Sequence, residues 1–245
     1  MSDRPTVAVF RPDDERLREA VATLEGLGVD PLPDPMLAVE PADTRPRSDA
    51  EYAILTSKTG AELAADAGWE PGDTTLCAIG ETTAGALREA GYAVDVVPAE
   101  FSSQGLVDHL AGEVGGARVE VARSDHGSDV LLDGLESAGA YLHETVLYRL
   151  VRPEDAGTSA ERAAEGRLDA ALFTSSLTVE HFLDAAADRG VRDAALSGLG
   201  DAIVGTIGAP TAETAEVAEI DVDVVPDEAD FEELARRTVD AFEAR

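Results

Sequence analysis

Apolar residues in this chain fall into two alternating patterns. Short dense runs read as buried strands: Thr6 to Phe10, Ala50 to Thr56, Thr75 to Ile79, Arg118 to Ala122, Asp169 to Thr174 and Ala202 to Ile207. Between them, apolar positions recur at helical spacing, as Leu17, Val21, Leu24 and Leu27 do before Gly28. Asp13 or Asp14 caps that first helix, and Val29 opens the next strand. Further helices are predicted over Lys58 to Ala67, Glu81 to Ala90, Gln104 to Gly112, Ser128 to Ala138, Leu177 to Arg189 and Phe231 to Ala244, with one more inside 156–167. Ser102 or Ser103 caps the helix that starts at Gln104. Prolines 31, 33, 35, 41 and 46 make Pro31 to Ser48 an extended connector, Arg123-Ser124-Asp125 reads as a turn, and Ala140 to Val151 is a long extended stretch. Strands alternating with helices predict parallel sheets in an α/β fold.

The pattern repeats. Ala78 to Pro98 reads as strand end, Gly80, helix, Gly91, then a strand over Val94 to Val97. It returns without a gap at Thr206 to Pro226, a shift of 226 − 98 = 128 residues, with Ile79-Gly80, Thr83-Ala84 and Val94 to Pro98 matched by Ile207-Gly208, Thr211-Ala212 and Val222 to Pro226. Arg11 to Gly28 is echoed by Arg123 to Gly139, and Thr56-Ser57 by Thr174-Ser175-Ser176. The 245 residues therefore suit two duplicated domains, which repetition alone would divide near residue 116. Glu219 stands where the first copy has Gly91, so the second helix lacks its terminal glycine.

Charge changes the picture. Asp and Glu number 50 against 19 Lys and Arg, a net charge of −31. Such a chain repels nucleic acid and anionic membranes. Its periodicity argues against disorder, which leaves adaptation to high salt, where screening weakens self-repulsion. No apolar run is long enough to span a bilayer and the first residues lack a signal-peptide pattern, so a cytoplasmic protein is expected. The single cysteine, Cys77, sits in a buried strand and reads as core. His109, His126, His143 and His181 lack metal-ligand spacing, and no phosphate-binding loop or nucleophile elbow is present.

The ordered set Arg11, Leu55-Thr56-Ser57, Ile79 to Ala84, Phe101-Ser102-Ser103, Arg123-Ser124-Asp125, Val146-Leu147-Tyr148-Arg149, Phe173 to Ser176 and Ile207-Gly208 with Thr211-Ala212 resembles the uroporphyrinogen-III synthase family over nearly the whole chain. The resemblance implies two parallel-sheet α/β domains joined by a two-stranded β connector, with the active site in a cleft between them. It assigns residues 1–35 and 152–245 to one domain and 36–151 to the other, with linking strands near Met36 to Glu40 and Glu144 to Val151. It further implies a monomer that takes hydroxymethylbilane, handed on from its synthase, and closes it to uroporphyrinogen III with no metal or cofactor.

A polyanionic substrate must then be held by an acidic protein, which helix N-termini at the C-terminal edge of a parallel sheet can do. Gly80 and Gly208 open two such helices; Thr56, Ser57, Thr83, Ser102, Ser103, Thr174, Ser175, Ser176 and Thr211 bring hydroxyls, which capping would equally explain. Lys58, the only lysine, sits unfavourably in a first helical turn, which carboxylate binding or simple surface placement explains. Arg11 and Arg123 occupy matching turns and suit carboxylates, although an internal pair with an acidic neighbour is the better reading of Arg123. The resemblance places Tyr148 facing the cleft as the acid assisting departure of the hydroxyl; a packed strand aromatic is the alternative. A two-domain protein that binds a small anionic ligand without chemistry would show the same fold and helix ends. A response-regulator module would need an acidic cluster and matching lysine, which the chain lacks.

Overall fold

A computed structural model describes residues 4–243. The expected helix end at Ala244 and the first three residues assigned to the discontinuous domain lie outside it. The chain separates into two compact units: one comprises the chain up to Ala38 with that from Val151 onward, the other Val39–Leu150. Along the sequence run β1 (Thr6–Phe10), α1 (Glu15–Gly26), β2 (Asp30–Pro33), β3 (Ala38–Pro41), β4 (Tyr52–Leu55), α2 (Lys58–Asp66), β5 (Thr75–Ala78) and α3 (Glu81–Glu89). Then follow α4 (Ser103–Leu110), β6 (Arg118–Ser124), α5 (Asp129–Ser137), β7 (Tyr141–Val151), α6 (Thr158–Ala164) and β8 (Ala170–Phe173). The remaining elements are α7 (Ser176–Asp188), α8 (Arg192–Asp201), β9 (Ile203–Thr206), α9 (Ala209–Val217) and α10 (Phe231–Glu243). Among the described residues, no helix is long and apolar enough to cross a membrane.

The discontinuous unit carries the sheet β2-β1-β8-β9, parallel throughout. The other carries β3-β7-β6-β4-β5, parallel from β7 to β5. Each sheet joins one βαβ half (β1-α1-β2, or β6-α5-β7) to a pair of strands from elsewhere in the chain (β8 and β9, or β4 and β5). A division near residue 116 would separate β6 from β4, with which it pairs. Parallel sheets need both faces covered, and both are. In the first unit Val7, Val9 and Leu172 pack on Leu17, Leu24 and Leu234, while Phe10, Ala171 and Phe173 pack on Val179 and Phe182. In the second, Ala53, Leu55 and Ala78 meet Ala61, Ala84 and Leu87; Ile54, Cys77 and Val121 meet Leu106, Leu110 and Leu131.

Several expectations need correction. Strand β3 falls where a linking strand is expected, but β2, which opens beside Val29, runs on through Pro31 and Pro33 into the connector, and these prolines are tolerated because β2 is an edge strand. Arg123 and Ser124 are not in a turn, because β6 runs on to Ser124. Val94–Val97 and Val222–Val225 form no strand; each segment contributes one bridge, Cys77 to Val96 and Gly205 to Val224. The aspartate of each copy explains why: Asp95 Oδ2 accepts from Leu76 N and Asp223 Oδ2 from Val204 N, both at 2.8 Å, so a carboxylate takes a ladder donor. Helix α8 was not foreseen. RDAALSGLGD has little helical periodicity, and Gly198 packs so close to α6 that a Cβ would lie 1.9 Å from the Ala163 carbonyl oxygen.

Candidate functional site

Parallel pairing puts every strand C-terminus of a sheet on one edge, and the sequence-predicted residues gather there. In the contiguous unit, Ser57 follows β4 with extended backbone and caps α2, its Oγ accepting from Gly60 N at 3.0 Å. Tyr148 lies on β7 opposite Ser124, the last residue of β6. Its ring belongs to the core with Leu55, Ala84 and Leu147, only 7% exposed, and its hydroxyl donates to Ser57 Oγ at 3.0 Å. Gly60 makes this possible: a Cβ there would come within 3.0 Å of Ser57 Oγ and 3.4 Å of Leu147 Cδ1. Gly60 was missed, although a glycine inside a predicted helix signals close packing.

Gly80 caps α3 without a side chain, and a Cβ there would meet Phe101 at 3.2 Å. Phe101 itself is 62% exposed. Ser102 caps α4 by accepting from Gly105 N and donates to Glu100, both at 2.9 Å; Ser103 is the first helical residue. Thr83 is buried in the third position of its helix, and Thr56 joins the strand end by donating its amide to the Ala122 carbonyl. Lys58 is exposed and pairs with Glu62 one turn on, at 3.5 Å. Arg123 must be withdrawn as a substrate ligand. Its buried guanidinium bonds Glu144 at 2.5 Å, the Ser128 carbonyl at 2.8 Å and Asp129 at 3.3 Å, tying β6 to β7 and to the start of α5.

In the discontinuous unit, Arg11 follows β1 with its guanidinium carbon 4.5 Å from the centre of the Phe231 ring. Its Nε is buried with no hydrogen-bond partner among the described residues, and burial, with Arg16 nearby, lowers its pKa. Thr174 Oγ1 donates to the Phe10 carbonyl at 2.5 Å, closing the strand end. Ser175 and Thr178 form a capping box on α7. Ser176 Oγ donates to the Pro210 carbonyl and accepts from Thr214, a residue the sequence did not single out, so it links the starts of α7 and α9. Gly208 caps α9 without a side chain, and Thr211 is buried like Thr83.

A rule common to both units emerges. Of two adjacent helix starts, one is filled by serine (α2, α7) and the other is left unfilled by glycine (α3, α9). Unfilled amides at a dipole's positive end suit carboxylates. Beside them, the contiguous unit alone adds a phenol bonded to a serine.

The family profile described as uroporphyrinogen-III synthase HemD matches residues 18–236. A protein of Methanothermobacter thermautotrophicus, named as a candidate uroporphyrinogen-III synthase, is 35% identical over 199 residues, 75% of this chain and 78% of its own. The uroporphyrinogen-III synthase of Synechococcus elongatus is 29% identical over 143 residues, 55% of this chain and 54% of its own. Among solved structures, a mutant uroporphyrinogen III synthase of Thermus thermophilus superposes with a TM-score of 0.67 at 19% identity, covering 98% of this chain and 100% of that one. The corresponding Helicobacter pylori enzyme gives 0.66 at 14%, covering 99% and 100%. These two show a shared fold.

Proposed function

The chain belongs to the uroporphyrinogen-III synthase family, and from that premise we propose that it closes hydroxymethylbilane to uroporphyrinogen III, with inversion of ring D and loss of water. The observation that carries this to the residues is the Tyr148–Ser57 hydrogen bond beside the unfilled start of α3. The substrate is a chain of pyrroles edged with carboxylates. Unfilled amides suit those carboxylates within each unit taken by itself: at Gly80 in the contiguous unit, where Ser102 and Ser103 begin α4, and at Gly208 in the discontinuous unit, which also carries Arg11, Thr174, Ser175 and Ser176. The pyrrole nitrogen's electron pair expels the hydroxyl, and a proton from the Tyr148–Ser57 pair makes it leave as water. The substituted α-carbon of ring D then attacks the electrophilic methylene carbon to give a spiro intermediate. The old bond between ring D and its methylene bridge breaks and re-forms at the other α-carbon, leaving the ring inverted. No electrons are gained or lost overall, so the chemistry calls for no redox cofactor. The family match does not favour a binding protein without chemistry.

The charge of −31 supports a protein adapted to high salt; the proposal is completed by a cytoplasmic monomer that receives its substrate from the enzyme that makes it. Hydroxymethylbilane closes by itself to the I isomer, so the test is direct. Purified protein in molar KCl is expected to give mainly the III isomer on chromatography. Folded protein that yields only the I isomer rejects the proposal.

A further inference from the structure

Two hydrogen bonds converge on one oxygen. Ser57 Oγ accepts from Gly60 N–H and from the Tyr148 hydroxyl, each at 3.0 Å. The amide can only donate. Between two hydroxyls the phenol is the stronger acid, so the shared proton is Tyr148's. A hydroxyl oxygen has two acceptor positions and one proton. With both positions engaged, the Ser57 proton is left for a third partner, and no acceptor among the described residues takes it. Burial separates the two groups in the same sense. Tyr148 is enclosed in the core, whereas Ser57 is half-buried at the head of α2. The proton that reaches the site surface is therefore on serine.

We propose that Ser57 is the catalytic residue that protonates the departing hydroxyl, and that Tyr148 refills it from behind. This rests on the reading of the Tyr148–Ser57 pair as the proton source of a uroporphyrinogen-III synthase. The carbon–oxygen bond of the hydroxymethyl group breaks with both electrons moving to oxygen. That oxygen takes the Ser57 proton and leaves as water. The Tyr148 proton moves to Ser57 Oγ, leaving a phenolate, and the pyrrole nitrogen's electron pair replaces the electrons lost at carbon. Ring closure later releases one proton from a pyrrole carbon, which returns through Ser57 to Tyr148 and restores the starting state.

The relay predicts a pattern that independent roles do not. Formation of the III isomer is measured at constant KCl for Tyr148→Phe, Ser57→Ala, the double variant, Ser57→Thr and Ser57→Asp. Each of the first two should lower kcat by a similar factor, about 10²–10⁴-fold, with KM within a few-fold. The double variant should be no slower than either, because one path is already cut. Ser57→Thr keeps a proton and a cap and should recover most of kcat. Ser57→Asp keeps the cap, folds, and has no proton to give, so it should stay as slow as Ser57→Ala. Ser128→Ala, which removes only the cap of α5, gives the cost of a lost cap in thermal unfolding. Wild-type kcat in Ser57→Ala with a slow Tyr148→Phe overturns the relay and leaves tyrosine as the direct donor. Wild-type kcat in Tyr148→Phe overturns both the relay and the tyrosine reading. Multiplying losses in the double variant, or recovery in Ser57→Asp, also overturns the relay, the latter because it reduces Ser57 to a cap.

Discussion

Asp34 shows what one buried carboxylate does in this chain. Its two oxygens, almost wholly enclosed, accept from Gly157 N at 3.0 Å, Ser159 N at 2.7 Å and Ser159 Oγ at 2.5 Å. It caps α6 from 123 residues away, where Gly157 offers no side chain of its own. Asp34→Ala leaves three buried donors unmet and should cost ~2–4 kcal/mol in denaturant unfolding; a cost below the error of the measurement would deny the carboxylate this role. Cys77 is the opposite case. Burial, with Asp95 and Glu113 nearby, pushes its thiol pKa up to about 12, so little thiolate exists at neutral pH. A thiol reagent should label native protein negligibly and unfolded protein fully. Cys77 was legible as core because its neighbours are apolar. Arg123 was legible only as a choice between ligand and internal pair, because its partners Glu144 and Asp129 lie on other elements. The Tyr148–Ser57 bond spans 91 residues, and no local pattern announces it.

At the scale of elements, the paired copies differ most at their helix ends. Gly91 closes α3 with φ +91°. Glu219 adopts φ +63° at the matching place after α9, the left-handed region that costs a side-chain-bearing residue ~1–2 kcal/mol. The last turn therefore survives without its glycine, at the expense of strain. Glu219→Gly should relieve part of it and raise the melting temperature by ~2–4 °C per kcal/mol recovered, without changing turnover. An unchanged or lower melting temperature would mean that chain entropy outweighs the relief. Strands such as Thr6–Phe10 were legible to the residue, because a parallel sheet covered on both faces demands continuous apolar runs. Helix α8 was not, because its packing against α6 uses Gly198 and small residues rather than an apolar stripe. The VDVVP segments misled for a chemical reason. Their valines promise strands, but Asp95 and Asp223 each take a ladder donor with a side chain.

For the whole molecule, net charge governs conditions more than fold. With a charge of −31, the folded state carries a self-repulsion that dissolved ions screen. The ion pairs of Arg16, Arg47 and Arg118 are exposed, and pairs of that kind contribute ~0–1 kcal/mol each, too little to offset it. The melting temperature should rise steadily as KCl goes from dilute to molar, and a flat profile would count against salt adaptation. The duplication was legible from the 128-residue echo, but repetition alone did not show how its halves are exchanged; only the family resemblance suggested it. The Ala78 and Thr206 copies fall in different units, while each sheet draws its βαβ half from the opposite end of the repeat.

That exchange dictates an order of assembly on the ribosome. Strand β1 pairs with β2 close by and with β8 across 170 − 7 = 163 residues. The first βαβ segment to be synthesised thus waits for its central partner, while 39–150 has every strand it needs as soon as it emerges. Closing the longer loop is slower and less favourable in entropy. The middle of the chain should gain hydrogen-exchange protection first in refolding, and the N-terminal segment, although made earliest, last. During that interval β1 has an unpaired edge, and a slow or crowded synthesis exposes it to other copies of the same strand.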